Sequence, residues 1–275
     1  MTSTGPSQPL LGNPSDITMT ETLRAAIAQA YEVFARYGER FTAQVCLCPC
    51  CFFEEDRERL LKLPLREIDG YLLEQYSWSA HGHDDDGPLS DDLRYLLPRY
   101  FELFAKNDPN LHDAPACNLT QLGRTAWRKI WPVAEVAAIE TYFDALLQAC
   151  LANSSIEGGW GGRGGSGYRC ALQVEEVIVM MLLAGADVER LLAIWDAAPD
   201  PAAALHLADL RFSLRTDARG TWLGNAHLDR EPINSALAVG AFLGSQRATA
   251  RIEAAFFKTT DPGAQHLLSD ALFIS

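Results

Sequence analysis

The sequence predicts an all-α, multi-helical protein whose helices form two packed layers. Hydrophobic residues make up 48% of the 275 residues, and most of them recur three or four positions apart, which is the spacing of one helix face. Strand signals are sparse, because no Asn-Gly or Asp-Gly pair lies between two alternating apolar runs. The run Val177–Val179 could form a strand by itself, but its flanks continue a helical pattern.

Two helices are predicted in the first eighty residues. Thr18 and Glu21 match the S/T-x-x-E capping box at the start of the first helix, and Gly38 can end it. The apolar residues between these signals follow helical spacing: Leu23, Ile27, Ala30, Phe34 and Tyr37. A second amphipathic helix is predicted from Leu65 to about Trp78.

Two further helices are predicted before residue 151. Ser90 can cap a third helix, and Asp91 and Asp92 then occupy a first turn that favours negative charge. Because Pro98 interrupts the pattern, we expect this helix to be kinked or split. A long fourth helix opens at Trp131–Pro132.

The glycine-rich segment Gly158–Gly167 is the clearest boundary, because backbone entropy disfavours regular structure there. It divides the chain into a flexible tail (1–16), a helical region with a cysteine cluster (17–157), a Gly-rich loop or linker (158–168) and a C-terminal helical region (169–275). In the last region, pairs of an acidic residue and proline recur at nearly equal intervals: Asp200–Pro201, Glu231–Pro232 and Asp261–Pro262. Each pair predicts the start of a helix. Their nearly equal spacing also allows a solenoid-like stacking of helix pairs in residues 169–275.

The net charge of −13 argues against a nucleic-acid partner, because both halves are acidic and neither offers a basic face for phosphates. The longest apolar run, Val177–Gly185, is too short to span a bilayer. The first residues lack the basic and apolar regions of a signal peptide. These features predict a cytoplasmic protein without a membrane partner. The acidity suits a basic protein partner, and ordinary solubility is the alternative explanation of the same charge.

A cysteine cluster is the strongest chemical signal. Four of the seven cysteines stand between Cys46 and Cys51, and Cys48 with Cys51 forms C-x-x-C. Zinc takes four nitrogen or sulfur ligands, and such a turn supplies two of them. His81 is a candidate for a further ligand, so we predict a structural zinc site of Cys46, Cys48, Cys51 and His81. Buried, inert thiols and a redox dithiol are the alternatives.

The segment that contains His81 and His83 continues into three aspartates, but their order does not match an EF-hand. The chain also lacks H-E-x-x-H. A zinc-dependent hydrolase would use Cys48, Cys51 and His81 as ligands, with Asp84 or Asp85 as the base. A polar loop between two helices explains the same residues.

Four residues are candidates for partner contacts. Trp160 and Arg163 lie in the glycine-rich segment, whose G-x-G-x-x-G match lacks the preceding strand of a dinucleotide site. Arg94 and Arg99 flank Pro98 and could form a polar surface beside a groove, although intrahelical ion pairs explain them equally well.

Three segments carry a resemblance to a group of uncharacterised bacterial proteins: VCLCPCC, LREIDGYLLEQYSWSAH and DDLRYLLPRYFELF. The resemblance covers roughly the first 105 residues and implies a bacterial origin, but no activity. The chain is acidic and helical and shows no recognisable catalytic constellation. The preferred interpretation is therefore a protein-binding protein, immunity- or antitoxin-like, with a structural zinc site. The alternative is the zinc-dependent hydrolase.

Overall fold

The computed structural model describes residues 15–46, 52–79, 88–112, 119–160, 167–225, 227–228 and 233–274. The predicted all-α class is confirmed, because α-helices dominate these residues and the strands among them form two short antiparallel pairs. None of the helices described is both long and apolar enough to cross a membrane.

The regular elements described in the N-terminal part are all helices or 3₁₀ turns. Its elements are α1 (Glu21–Phe34), a 3₁₀ turn (Ala35–Arg40), α2 (Glu54–Lys62), a second 3₁₀ turn (Leu65–Glu67), α3 (Gly70–Ser79), α4 (Pro88–Ala105), α5 (Pro109–His112), α6 (Thr120–Arg124), α7 (Trp127–Ile130) and α8 (Val133–Leu151). Helix α1 packs against α8 and α4. The rings of Phe101 and Tyr142 stack between α4 and α8, with their centroids 3.9 Å apart.

The second part combines helices with two hairpins. Its elements are β1 (Ile156–Trp160), β2 (Gly167–Cys170), α9 (Val174–Leu183), α10 (Val188–Ala197), α11 (Ala202–Arg211), β3 (Leu214–Asp217), β4 (Gly220–Leu223), α12 (Ile233–Leu243), α13 (Gln246–Lys258) and α14 (Pro262–Ala271). Helices α11, α13 and α14 pack against one another. Buried apolar residues from before and after the glycine-rich segment belong to one hydrophobic cluster.

The first helix starts two residues later than a cap at Thr18 requires. Thr20 is the N-cap, because its side-chain oxygen accepts a hydrogen bond from the Leu23 N–H at 3.1 Å. Thr18 belongs to the preceding turn, where its carbonyl accepts from the Thr20 N–H. The apolar face was predicted correctly, since it is buried from Leu23 to Tyr37.

The second predicted helix is divided into a 3₁₀ turn and α3. The carboxylate of Asp69 accepts from the Leu72 N–H at 2.9 Å and so caps a new helix. Helix α4 differs from the prediction in the other direction, because it is one helix where a kinked or split helix was expected. This helix begins at Pro88, so Ser90 lies inside it, and it runs through Pro98 without being split. Buried neighbours on both sides of the proline offset the cost of about 3 kcal/mol that proline imposes inside a helix.

The glycine-rich segment contains regular structure at both ends, so the expectation of none there was wrong. β1 pairs antiparallel with β2, with Ile156 opposite Cys170. Strand pairing uses backbone groups, which glycine also possesses. The Tyr168 ring lies against Gly158, where a Cβ atom would be 3.2 Å from it. Residues 161–166 lie outside the described part of the chain.

The other hairpin, β3–β4, was not predicted, because its turn lacks the expected Asn-Gly or Asp-Gly pair. Asp217 faces Gly220 across the turn, and its carboxylate accepts from the Arg219 N–H at 2.8 Å. Gly220 has a φ of +120°, a conformation that favours glycine.

The acidic residue–proline pairs differ in their outcome. Asp261 caps α14 as predicted, since its side chain accepts from the Ala264 N–H at 2.7 Å. Asp200 is not a cap, and its carboxylate accepts instead from Arg251 at 2.8 Å. Glu231–Pro232 lies outside the described residues.

Candidate functional site

The segment Thr42–Cys46, which leads into the cysteine cluster, is anchored by a buried carboxylate in α4. Asp92 accepts hydrogen bonds from the backbone N–H groups of Thr42 and Gln44, both at 2.7 Å. The Thr42 hydroxyl also donates to Asp92, at 3.2 Å to Oδ2. Burial raises the pKa of Asp92, while these hydrogen bonds act in the opposite direction. We call Thr42–Cys46 the anchoring segment.

The anchoring segment is also held from α2. The Arg57 guanidinium donates to the carbonyl of Ala43 at 3.2 Å and to the carbonyl of Thr42 at 3.3 Å. Ala43 between them is fully buried and has a φ of +48°. A left-handed alanine costs on the order of 1 kcal/mol, so contacts on both sides are needed to maintain it. The backbone that precedes the cysteine cluster is therefore strongly constrained.

The end of the anchoring segment contacts the end of α3. The Cys46 N–H donates to the Ser79 carbonyl at 3.1 Å, which satisfies one of the free carbonyls of the last helical turn. Cys46 precedes Cys48 and Cys51 in the sequence, and Ser79 precedes His81. The structure thus places Cys46, the first predicted ligand, beside the residue that stands two positions before His81.

Of the four predicted zinc ligands, Cys46 is the one that the structure describes, and it is half-buried with a free thiol. Cys48, Cys51 and His81 lie outside the described residues. Within the part of the chain that is described, no group of three His, Cys, Asp or Glu side chains is placed to hold a metal ion.

Two large aromatic side chains are exposed next to the predicted ligand segments. Phe53 follows the cysteine cluster and is 60% exposed, although Phe52 beside it is buried. Trp78, one residue before Ser79, is 59% exposed. Exposed aromatic residues of this size are frequent in protein interfaces.

Arg94 lies inside the protein and not on a polar surface, so its prediction as a partner-contacting residue does not fit. Its guanidinium forms ion pairs with Glu135 and Asp91, both at 3.2 Å, and lies 4.2 Å from the centre of the Trp131 ring. The Glu135 side chain is fully buried and also accepts from the Tyr37 hydroxyl at 2.6 Å. This arrangement is a structural ion-pair network.

Arg99 is also an internal residue. It donates to the Ile68 carbonyl at 2.6 Å and to Glu102 at 2.9 Å, and its side chain is 11% exposed. For both arginines, intrahelical pairing explains the residue. The backbone of Trp160 lies in β1, while the position of its side chain and the whole of Arg163 fall outside what the structure describes.

Sequence reasoning missed the buried Glu135 and the half-buried Asp209. Glu135 could have been found, because it shares a helix face with the buried Ala138, Ile139 and Tyr142. Asp209 in α11 has a similar signal, because it follows the buried Leu205 and His206 by one helical turn. Burial raises its pKa to about 7, and its carboxylate accepts from the Cys170 N–H at 3.3 Å.

Comparisons with protein-family models, curated proteins and solved structures found no match to this chain. The resemblance to uncharacterised bacterial proteins therefore stays a prediction. Any function has to be argued from the geometry of the chain itself.

Proposed function

We propose that this protein binds another protein through a surface that a structural zinc ion stabilises. The proposed ligands are Cys46, Cys48, Cys51 and His81. The observation that carries the zinc site is the hydrogen bond between the Cys46 N–H and the Ser79 carbonyl. It supports a single site, because it joins the two segments that supply the ligands, and three thiolates with one imidazole suit tetrahedral zinc.

The covalent reach of the chain is compatible with one ion. Cys48 follows Cys46 by two residues, and His81 follows Ser79 by two residues. The Cα of Cys48 therefore lies within about 7 Å of the Cα of Cys46, and the Cα of His81 lies within about 7 Å of the Cα of Ser79. The side chains and the metal bonds of about 2.0–2.3 Å can close the remaining distance. Zinc bound there would add a cross-link between two loops, and its binding free energy would stabilise the fold.

The exposed aromatic residues support a protein partner. Phe53 and Trp78 adjoin the two ligand segments in sequence, so an ion bound by these segments would lie close to the surface that carries the two rings. The net charge of −13 favours a basic partner through faster association. An immunity- or antitoxin-like role in the cytoplasm, where thiolates stay reduced, is the form of this function that we propose.

The zinc site is tested by metal analysis of protein purified under reducing conditions. We expect about one zinc per chain, and we expect the Cys48→Ser/Cys51→Ser variant to lose it. Cys150→Ala is the matched control. Cys150 is a buried thiol in α8, so its replacement should leave the zinc content unchanged. Metal-free wild-type protein, or full zinc in the double variant, would contradict the site.

A chelator then separates a structural from a catalytic ion. Removal of a structural zinc lowers the melting temperature. If the chelator removes zinc and the melting temperature does not change, the hydrolase becomes the better interpretation, since a catalytic zinc keeps an open position for water.

The partner surface is tested with Phe53→Ser and Trp78→Ser. The products of genes adjacent to this one are the first binding candidates, measured by calorimetry at two salt concentrations. We expect both variants to weaken binding at least tenfold and added salt to weaken the wild type. Phe257→Ser is the control, because Phe257 is 76% exposed on α13 and is distant from both ligand segments in sequence. Equal loss in all three variants would contradict this surface.

A further inference from the structure

A pocket of about 330 Å³ opens between α1, the 3₁₀ turn Leu65–Glu67 and the end of α4. Its lining includes Met19, Arg24, Ile27, Arg66, Glu102 and Lys106. All of these residues belong to the described part of the chain, and none of them belongs to the proposed zinc site. We call this the cationic pocket.

The centre of the cationic pocket is one carboxylate surrounded by donors. Glu102 accepts from Lys106 at 2.6 Å, from the Tyr31 hydroxyl at 2.5 Å and from Arg99 at 2.9 Å. Burial by itself raises the pKa of Glu102, but these hydrogen bonds outweigh that effect and lower the pKa to about 2. The carboxylate is therefore ionised, and its oxygens are already engaged.

The cations around Glu102 outnumber it. Arg66 lies 3.9 Å from the same carboxylate, so three cations share one negative charge and leave an excess of two positive charges. Arg24 at the rim is paired with the exposed Glu21. In a chain with a net charge of −13, such a local excess is a distinct electrostatic feature that attracts anions.

The Arg66 guanidinium is held in a defined orientation. Its central carbon lies 3.7 Å from the centre of the Tyr31 ring, and the Tyr31 hydroxyl is itself fixed by Glu102. The Arg66 side chain lines the pocket and is nevertheless 62% exposed, so its guanidinium keeps access to solvent. A planar guanidinium that is held in this way can donate two parallel hydrogen bonds to one phosphate or carboxylate.

We propose that the cationic pocket binds a small phosphate monoester that carries an apolar group. A phosphate monoester has a charge of about −1.5 to −2 at neutral pH on one head group, which matches the excess of two cations better than a single carboxylate does. Its body would contact the apolar side chains of Met19 and Ile27 on the α1 side of the pocket. The volume is within the range of small-molecule sites.

The experiment measures binding of phenyl phosphate to the full chain by calorimetry, with inorganic phosphate and phenol as the separated halves of the ligand. We expect phenyl phosphate to bind, inorganic phosphate to bind at least tenfold more weakly and phenol not to bind. We also expect the affinity to fall with rising salt. Succinate distinguishes the phosphate head from a dicarboxylate, and tighter binding of succinate would overturn the assignment to phosphate.

The variants Arg66→Gln and Lys106→Gln should each weaken phenyl phosphate at least fivefold. Arg247→Gln is the control, because Arg247 is an exposed, ion-paired arginine on α13 that takes no part in this pocket. No binding of phenyl phosphate at millimolar concentration would overturn the proposal. Binding that all three variants weaken equally, or that none of them weakens, would overturn it as well. Unchanged melting temperatures of the variants in the absence of ligand establish that they remain folded.

Discussion

Asp92→Ala tests whether one buried carboxylate maintains the anchoring segment. The substitution removes the acceptor of two backbone N–H groups, each at 2.7 Å, and of the Thr42 hydroxyl. Hydrogen bonds to a charged group contribute about 1.5–3 kcal/mol each. Removing a buried charge offsets part of this loss, as the raised pKa of Asp92 indicates. We therefore expect the free energy of unfolding to fall by about 3 kcal/mol.

The assay is urea unfolding followed by circular dichroism, combined with zinc affinity from competition with a chelator. A loss of about 3 kcal/mol corresponds to a melting temperature lower by about 8 °C in a chain of this size. Asp92→Asn keeps one acceptor oxygen and should lose about half as much stability. Asp144→Ala is the control, because Asp144 forms an exposed ion pair with Arg190 that contributes less than about 1 kcal/mol. If Asp92→Ala lies within about 0.5 kcal/mol of the wild type, the reasoning on the anchoring segment is refuted.

Three further predictions concern the core. Arg94→Met should lower the free energy of unfolding by about 3 kcal/mol, because it removes a partner of the buried Glu135. Urea unfolding measures this loss. Adding Glu135→Gln to the same variant should recover more than half of it. His206 is fully buried, and burial lowers its pKa to about 4. Between about pH 6.5 and about pH 4 the His206 imidazole is therefore protonated in the unfolded chain and neutral in the folded one. The free energy of unfolding should consequently fall by up to about 3 kcal/mol as the pH drops from about 6.5 to about 4. Unfolding at pH 7 and pH 4.5 checks this, and a His206→Gln variant that keeps the full pH dependence would contradict it. Gly123→Ala should lower the melting temperature by several degrees, because the new Cβ would lie 2.1 Å from the Leu183 carbonyl oxygen; a calorimetric scan that matches the wild type would show that the backbone there can shift.

The fold was predictable to the extent that local patterns determined it. The face of α1 from Leu23 to Tyr37 is buried as its spacing indicates, and Asp261 caps α14 as its position before a proline indicates. Both features depend on residues within one or two turns. Errors occurred where distant residues decide the outcome, as at Asp200, whose carboxylate accepts from Arg251 and does not cap a helix.

The candidate site was also predictable only in part. The cysteine spacing and the nearby histidine are visible in the sequence, so a zinc site can be predicted from them, and that prediction awaits metal analysis. The anchoring of Thr42 and Gln44 by Asp92 cannot be seen there, because the two partners are separated by about fifty positions. In the sequence, Asp92 is expected in a first turn that favours negative charge, whereas its carboxylate accepts hydrogen bonds from a different segment.

The sequence by itself determined the helical class, most of the buried faces and the presence of clustered thiols, because periodicity and residue type act locally. Tertiary structure decided that Arg94 and Arg99 face inward. Arg94 and Arg99 look like surface residues in sequence, yet each is placed against a carboxylate and loses its access to solvent. It also decided where the positive charge is concentrated, since Arg66 joins Arg99 and Lys106 at Glu102 only when the 3₁₀ turn packs against α4. A net charge of −13 describes the whole chain, and packing determines how that charge is distributed.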